Sequence, residues 1–296
     1  MKEHAWSGVY TAIVTPFKNG EVDYESFRQL IEQQVAGGVA GIVVMGTTGE
    51  SPTLNIDDHL DVVAAAIEMV GGRIQVIAGT GSNDTRHAIH STRRAHTLGA
   101  DGFLQVGPYY NKPSQEGLFQ HFSAIAEVTD RPIMLYSIPG RSGIAIDVET
   151  VARLRQQHAH INCIKEAGGS CDKVSRLVRE MGDDMVVLAG DDSLTLPFMS
   201  VGAKGVVSVT SNLFPKAMVE MVQNALGNDF AAATAIHQRL FPLFERMLSL
   251  EPNPVCIKYA LFKAGFIQSP EVRLPLTTPT PANQNLLDDL LKPYLL

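Results

Sequence analysis

The feature that most constrains the fold of this chain is a regular alternation of short apolar runs with segments of helical periodicity. Eight of the runs have the length and composition of buried parallel strands. They cover residues 10–14, 41–45, 75–78, 102–106, 132–136, 161–165, 185–189 and 205–209. Between them, helices are predicted after the caps Asp23 and Asn55, over residues 84–98, 115–128, 147–157 and 172–181, and in a short segment before the eighth strand.

Eight strand–helix units over this length predict a (β/α)8 TIM barrel, which we place at residues 1–225 as the catalytic domain. A doubly wound open sheet is the alternative, but it requires a glycine-rich fingerprint that the sequence lacks. Beyond Pro215 the strand pattern stops, and helices are predicted over residues 229–250, 254–264 and 283–291. Residues 226–296 are therefore interpreted as a C-terminal helical extension.

Composition and charge exclude several classes of protein. Charged residues make up 19% of the chain and hydrophobic residues 45%, which argues against disorder. The net charge of −7 argues against a nucleic-acid partner, and no apolar run approaches the ~20 residues of a membrane span. The N-terminal residues lack the pattern of a signal peptide, and the three cysteines form no CxxC pair. We therefore expect a cytoplasmic protein with reduced thiols.

Lys165 ends the sixth predicted strand, at residues 161–165. Because side chains alternate along a strand, Lys165 is expected to share a face with Cys163 and Ile161. Burial lowers the pKa of a lysine, and a neutral amine can form a Schiff base with a ketone. The alternative is a lysine that reaches from the strand end to water.

Further polar residues follow the predicted strands at the end where TIM barrels carry their active sites. Thr47 and Thr48 follow strand two, Tyr110 follows strand four, Tyr136 ends strand five, and Arg141 lies just beyond it. Each has an ordinary structural alternative, such as a turn, a packing aromatic ring or a surface ion pair. Their joint placement with Lys165 favours a catalytic site.

The residue types fit Schiff-base chemistry on small acids. Thr47 and Thr48 offer hydroxyls and backbone amides for a small carboxylate, and the guanidinium of Arg141 offers a two-pronged partner for a second one. Tyr136 is a candidate for passing protons to a carbinolamine on the lysine, with Thr48 and Tyr110 as relay groups.

Four segments carry a resemblance to a known family. Residues 46–51 (GTTGES), 109–117 (YYNKPSQEG), 164–166 (IKE) and 189–192 (AGDD) resemble, in order, the dihydrodipicolinate synthase family. The resemblance implies that Lys165 forms a Schiff base with pyruvate and that the enamine attacks L-aspartate-4-semialdehyde, in the diaminopimelate route to lysine. It implies a lyase. Schiff-base chemistry needs no metal, and the sequence shows no convincing metal site and no sign of another cofactor.

The resemblance also implies roles for further residues. It places Thr48, Tyr110 and Tyr136 in the proton relay, with Tyr110 reaching into the site of a neighbouring subunit, so the family implies a homo-oligomer, either a dimer or a tetramer of two dimers. Arg141 is implied to bind the carboxylate of the semialdehyde. Gly190 and Val207 are implied to contribute backbone groups near the keto acid; the family often has isoleucine at the second position.

Two other functions stay open at this point. N-acetylneuraminate lyase and the 2-keto-3-deoxy sugar acid aldolases belong to the same superfamily and keep the lysine and the tyrosine, but Arg141 and residues 109–113 resemble the synthase branch more. A non-catalytic binding homologue is the other alternative, although none of the relay residues is missing.

The resemblance also implies an allosteric lysine site at a dimer interface. The corresponding residues are Ser51, Pro52, Ile56, His59, Asn83, His87 and Tyr109. His87 stands where lysine-sensitive members usually carry glutamate, and an imidazole does not attract the ammonium group of the ligand as a carboxylate does. We therefore predict weak or absent inhibition by lysine.

Overall fold

The computed structural model describes residues 6–295, and among them eight parallel strands close into a barrel. The strands are β1 Gly8–Ala12, β2 Gly41–Val44, β3 Gln75–Gly79, β4 Gly102–Val106, β5 Ile133–Ser137, β6 Ile161–Glu166, β7 Val186–Ala189 and β8 Gly205–Ser208. Each strand pairs with the next along the chain, and β8 closes on β1 with Val207 opposite Tyr10. The predicted (β/α)8 TIM barrel is confirmed.

Helices connect the strands and continue beyond them. They are α1 Tyr24–Gly37, α2 Ile56–Val70, α3 Thr85–Leu98, α4 Gln115–Ala126, α5 Pro139–Ser142, α6 Val148–Gln157, α7 Cys171–Met181, α8 Thr195–Ser200, α9 Pro215–Leu226, α10 Phe230–Ser249, α11 Val255–Lys263 and α12 Pro281–Leu295. Asp23, Asn55 and Asp84 cap their helices by accepting backbone N–H groups, as the sequence predicts for these residue types.

The strands separate two hydrophobic clusters. The larger one fills the layer between strands and helices, and the smaller one fills the barrel interior. The interior cluster contains Trp6, Tyr10, Ala12, Val43, Ile77, Leu104, Met134, Tyr136, Cys163, Leu188 and Val207. Near the amino ends of the strands, the Trp6 indole donates to Asn162 Oδ1 at 2.7 Å, and the Tyr10 hydroxyl donates to Gln75 Oε1 at 2.5 Å. The interior is thus packed rather than open.

The sixth strand corrects one expectation. Ile161 pairs with Ile133, but the next pair joins Cys163 to Met134, so β6 contains one extra residue, Asn162. Because a bulge moves the following side chains to the opposite face, Ile161 packs in the outer layer while Cys163 packs inside the barrel. The prediction that Ile161 shares a face with the lysine was wrong.

Several elements lie outside the sequence prediction. A two-stranded ribbon joins Phe17–Lys18 to Glu21–Val22, α5 directly follows β5, and α9 completes the last strand–helix unit. The first strand was predicted at residues 10–14 and spans Gly8–Ala12, because the apolar run continues past the end of the strand ladder.

The helices α10, α11 and α12 form the C-terminal extension, with α10 packed on α9. The predicted division between residues 225 and 226 falls in the last two positions of α9 and stays a prediction. Residues 1–5, part of the N-terminal segment in which we expected no signal peptide, lie outside the described residues. Across residues 6–295, no helix combines the length and the apolarity needed to cross a membrane.

Candidate active site

Lys165 lies on β6 with its side chain inside the barrel. It is only 6% exposed, and its Nζ lies 4.1 Å from the ring centroid of Tyr136. Burial lowers the pKa of the Lys165 amine to about 8, although the charges of Asp191 and Asp192 oppose the shift. At neutral pH a far larger fraction of this amine is uncharged than of an ordinary lysine. The lysine is therefore buried inside the barrel and does not reach water.

Tyr136 lies on β5 directly opposite Lys165 in the strand register. Burial and the nearby charge of Asp191 raise the pKa of the Tyr136 hydroxyl, while the charge of Arg141 and the side chain of Thr47 lower it. The net pKa shift is upward, so the phenol stays protonated at neutral pH. Its ring lies beside the Lys165 amine.

The turn after β2 carries two threonines with different surroundings. The side chain of Thr47 lowers the pKa of Tyr136, whereas Thr48 is buried and its Oγ1 accepts a hydrogen bond from Asn253 Nδ2 at 2.9 Å. The backbone N–H groups of both threonines make no hydrogen bond with any other described residue. Two unpaired amides in a turn form an anion-binding arrangement. Of the two, Thr47 is the threonine whose side chain acts on the pKa of Tyr136.

A buried ion pair holds this turn in place, and the sequence analysis missed it. Glu50 has a positive φ of 57° and is fully buried, with its Oε1 2.7 Å from Lys258 Nζ and its Oε2 2.8 Å from the backbone nitrogen of Arg273. Lys258 lies 4.2 Å from the ring centroid of Phe17, and burial lowers the pKa of its amine to about 8. The available signal was a lone lysine in a segment, 255–261, that is apolar on all sides and hence buried.

A cavity of about 220 Å³ opens at the carboxyl ends of the strands. Thr47, Tyr136 and Arg141 line it together with Gly46, Leu104 and Tyr109 among others. Arg141 reaches it from α5, the helix that begins at Pro139. Such a volume suits a small organic acid rather than a polymer.

The two backbone positions predicted near the keto acid lie on β8 and just after β7. The N–H of Gly190 donates to the carbonyl oxygen of Glu166 at 2.8 Å, and a Cβ on Gly190 would lie 2.6 Å from that of Ala167. Only glycine fits there. Val207 is fully buried in the barrel interior.

Tyr110 does not join the site within one chain. It is 91% exposed, has a positive φ of 74°, and is not part of the cavity wall. A large aromatic side chain held out in this way contacts solvent or another molecule.

A second cavity, of about 390 Å³, brings together the residues predicted for lysine binding. Its wall includes Ser51, Pro52, Ile56, His59, Asn83, His87 and Tyr109. His59 Nε2 lies 2.9 Å from the carbonyl oxygen of Gly79, and burial lowers the pKa of this imidazole to about 4. The two cavities share Ser51, Pro52, Gly81 and Tyr109.

Comparisons with known proteins indicate one family. A family model described as the dihydrodipicolinate synthetase family matches residues 5–293. A 4-hydroxy-tetrahydrodipicolinate synthase of Leptospira biflexa is 49% identical over 273 residues, covering 92% of each chain. The protein of that name in Aquifex aeolicus is 46% identical over 289 residues, covering 98% of each chain.

Solved structures give the same result. The crystal structure of dihydrodipicolinate synthase from Aquifex aeolicus has a TM-score of 0.96 and 46% identity, covering 98% of both chains. The 4-hydroxy-tetrahydrodipicolinate synthase of Methylacidiphilum fumariolicum SolV has a TM-score of 0.95 and 49% identity, covering 97% of this chain and 95% of that one. The resemblance drawn from four short motifs is confirmed over the whole length: the chain belongs to the dihydrodipicolinate synthetase family, a family of enzymes.

Proposed function

We propose that this chain is a lyase that condenses pyruvate with L-aspartate-4-semialdehyde, the 4-hydroxy-tetrahydrodipicolinate synthase reaction of lysine biosynthesis. Family membership and the names of its curated relatives support this reaction and not the sugar acid aldolase alternative. The observation that carries the chemistry is the buried Lys165 amine, with its lowered pKa, 4.1 Å from the ring of Tyr136.

The first step forms the Schiff base. The neutral Lys165 amine attacks the carbonyl carbon of pyruvate, and the carbinolamine that results loses its hydroxyl as water when Tyr136 supplies a proton. Thr47 is the threonine whose side chain lowers the pKa of Tyr136, so we propose Thr47, rather than Thr48, as the relay group next to it. This leaves an iminium on the lysine and a phenolate on Tyr136, and the phenolate regains its proton from the pyruvate methyl group in the second step.

The second step forms the carbon–carbon bond. Loss of a proton from the pyruvate methyl group gives an enamine, which attacks the aldehyde carbon of the semialdehyde. The amine of the product then attacks the imine carbon and displaces Lys165 as a free amine, which closes the ring. Arg141, at the cavity wall, is proposed to bind the carboxylate of the semialdehyde through its guanidinium.

The carboxylate of pyruvate is proposed to bind in the turn after β2. The unpaired backbone amides of Thr47 and Thr48 point to an anion there, and the Thr48 hydroxyl adds a donor. Gly190 and Val207 are proposed to keep the backbone close to the bound keto acid. Tyr110, exposed in one protomer, is proposed to complete the relay in a neighbouring subunit, which makes the working enzyme at least a dimer. A cytoplasmic location stays part of this proposal.

The test of the reaction is pyruvate consumption with three aldehydes: L-aspartate-4-semialdehyde, N-acetylmannosamine and glyceraldehyde. Product formation from the semialdehyde is read through a coupled dihydrodipicolinate reductase, and borohydride reduction with pyruvate locates the adduct by mass spectrometry. We expect turnover with the semialdehyde alone and a pyruvyl adduct on Lys165. Turnover only with the sugars would move the enzyme to the aldolase branch, and the absence of an adduct would point to a binding homologue.

A further inference from the structure

The turn that carries the two threonines is tied to the C-terminal extension by a hydrogen bond with a defined direction. Asn253 lies between α10 and α11, 205 residues away in the chain, and its Nδ2 donates to Thr48 Oγ1 at 2.9 Å. Both groups are largely withdrawn from solvent. This contact lies outside the barrel motif, and none of the chemistry described above uses Asn253.

The direction of this bond determines what the Thr48 hydroxyl can do. A threonine hydroxyl has one hydrogen to donate and two lone pairs that accept. An amide N–H of Asn253 occupies one lone pair, so it holds the oxygen in place and leaves the hydroxyl hydrogen free for an acceptor. A carboxylate accepts hydrogen bonds only. Thr48 is thereby presented as a donor beside two unpaired backbone amides.

We propose that Asn253 is a positioning residue of the C-terminal extension that fixes Thr48 as the hydroxyl donor to the carboxylate of pyruvate. This inference rests on the proposed function, since it concerns the same keto acid. Asn253 touches no reacting atom and acts through Thr48. The extension is then part of the substrate site and not only a structural addition to the barrel.

The surroundings of Asn253 support this role. Lys258, five residues later on α11, forms the buried ion pair with Glu50 at the other end of the same turn. The side chain of Arg273 donates to the carbonyl oxygen of Thr53 at 3.2 Å, and its backbone nitrogen donates to Glu50. Lys258 and Arg273 therefore hold the Glu50 side chain and the carbonyl of Thr53, while Asn253 is the residue among 6–295 that hydrogen-bonds to the hydroxyl of Thr48.

The test compares Asn253→Ala with Asn253→Asp, and measures steady-state kinetics together with the pyruvate dependence of borohydride trapping. In Asn253→Ala we expect the KM for pyruvate to rise about tenfold, the scale of one hydrogen bond to a charged group, with kcat and the KM for the semialdehyde changed less than twofold. Asn253→Asp fills the same space but accepts the hydrogen of Thr48, so the KM for pyruvate should rise at least as much. A pyruvate KM near the wild-type value in Asn253→Asp would overturn the proposal, because a packing role alone would survive that change.

A double-mutant cycle with Thr48→Val isolates the route of the effect. If Asn253 acts through Thr48, Asn253→Ala changes the KM for pyruvate less than twofold in the Thr48→Val background. A full tenfold effect in that background would contradict the proposal. Tyr259→Phe is the matched control, since it removes the hydrogen bond from the Tyr259 hydroxyl to Asp288 within the extension and should leave both KM values unchanged.

Trapping separates this proposal from the proposed function. If the wild-type enzyme forms the pyruvate adduct but does not turn over the semialdehyde, the proposed condensation is refuted. The pyruvate concentration that gives half-maximal trapping then still tests the role of Asn253. If half-maximal trapping in Asn253→Ala needs the same pyruvate concentration as in the wild type, the positioning role is refuted even if the condensation is confirmed. A wild-type enzyme that traps no pyruvate refutes both.

Discussion

At the scale of single residues, the site depends on two side chains whose pKa values move in opposite senses for one reason. Burial disfavours the charged form of each, so the pKa of Lys165 falls and that of Tyr136 rises. The result is an amine that is partly neutral at physiological pH, beside a neutral phenol. Burial thus gives Lys165 a neutral fraction that an ordinary lysine lacks, and it keeps the phenol of Tyr136 protonated.

The pH dependence of adduct formation follows from the pKa of Lys165, which is about 8. At pH 7 about a tenth of such an amine is neutral, against less than a thousandth for an ordinary lysine. We expect the initial rate of borohydride trapping with saturating pyruvate to rise through pH 8 and level off above it. An inflection near pH 10 would contradict the burial effect, and Lys165→Met should abolish trapping at every pH.

Removal of the phenol hydroxyl tests Tyr136 as the proton donor. In Tyr136→Phe we expect kcat to fall about a hundredfold or more, the scale of one general acid–base group, while Lys165 still binds pyruvate slowly. Thr47→Val, which removes the partner of Tyr136, should lower kcat in the same direction but by less. A kcat for Tyr136→Phe within threefold of wild type would exclude the role.

At the scale of elements, the short turn after β2 is held by long-range contacts because its own backbone is unfavourable. Glu50 adopts a left-handed conformation that non-glycine residues rarely take. Its buried carboxylate is satisfied by Lys258 on α11 and by the backbone of Arg273. The strand, the turn and the extension are therefore one structural unit.

Breaking the Glu50–Lys258 ion pair should lower the free energy of unfolding. Lys258→Met conserves the volume of the side chain but leaves a buried carboxylate without its cation, which destabilises a protein by about 3–5 kcal/mol. We expect a marked fall in the thermal unfolding temperature by calorimetry. The double variant Glu50→Gln/Lys258→Met, in which no charge is left unpaired, should recover a large part of that loss. Equal instability of the two variants would show that the charge itself is unimportant.

At the scale of the whole molecule, the exposed Tyr110 and the shared wall of the two cavities link function to assembly and regulation. Both cavities contact Tyr109, the residue before Tyr110, so one short segment borders the catalytic cavity, the second cavity and the outer surface. This arrangement makes the loop after β4 the part of the fold where a neighbouring subunit and a regulator are expected to act.

Subunit complementation tests whether Tyr110 serves a neighbouring site. Tyr110→Phe and Lys165→Met should each be nearly inactive alone. In a two-fold symmetric dimer, a mixed dimer carries one site with an intact lysine and an intact tyrosine from the partner. After unfolding and joint refolding, random pairing should restore about a quarter of the wild-type activity. No recovery would show that Tyr110 acts within its own chain or not at all.

The second cavity yields a prediction about lysine. His87 lies exposed at its rim, where an imidazole offers no fixed negative charge to an ammonium ligand. We expect no half-maximal inhibition at submillimolar lysine. His87→Glu should lower the inhibitory concentration about tenfold by adding a charge-assisted hydrogen bond, with the uninhibited rate unchanged. Strong inhibition of the wild type would refute the prediction.

Much of the fold and the site follows from the sequence because local patterns carry it. The eightfold strand–helix alternation determines the barrel, and strand polarity puts Thr47, Tyr136, Arg141 and Lys165 at one end of it. The motifs in residues 46–51 and 164–166 determine the family. These features depend on residues close together in the chain, which periodicity and motif analysis can detect.

Other features were decided only by the tertiary structure. The bulge at Asn162 moved Ile161 to the outer layer. The structure also decided that Thr47 acts on Tyr136 and that Thr48 contacts Asn253, because two adjacent threonines can face different neighbours. The contacts of Thr48 and Glu50 with the extension join residues 205 and 208 positions apart. The sequence by itself determined the barrel, the end of it that carries the candidate site, and the residue types found there. The structure determined which partners those residues have. Pairing across such separations depends on how the helices pack, and it leaves no periodic signal in the chain.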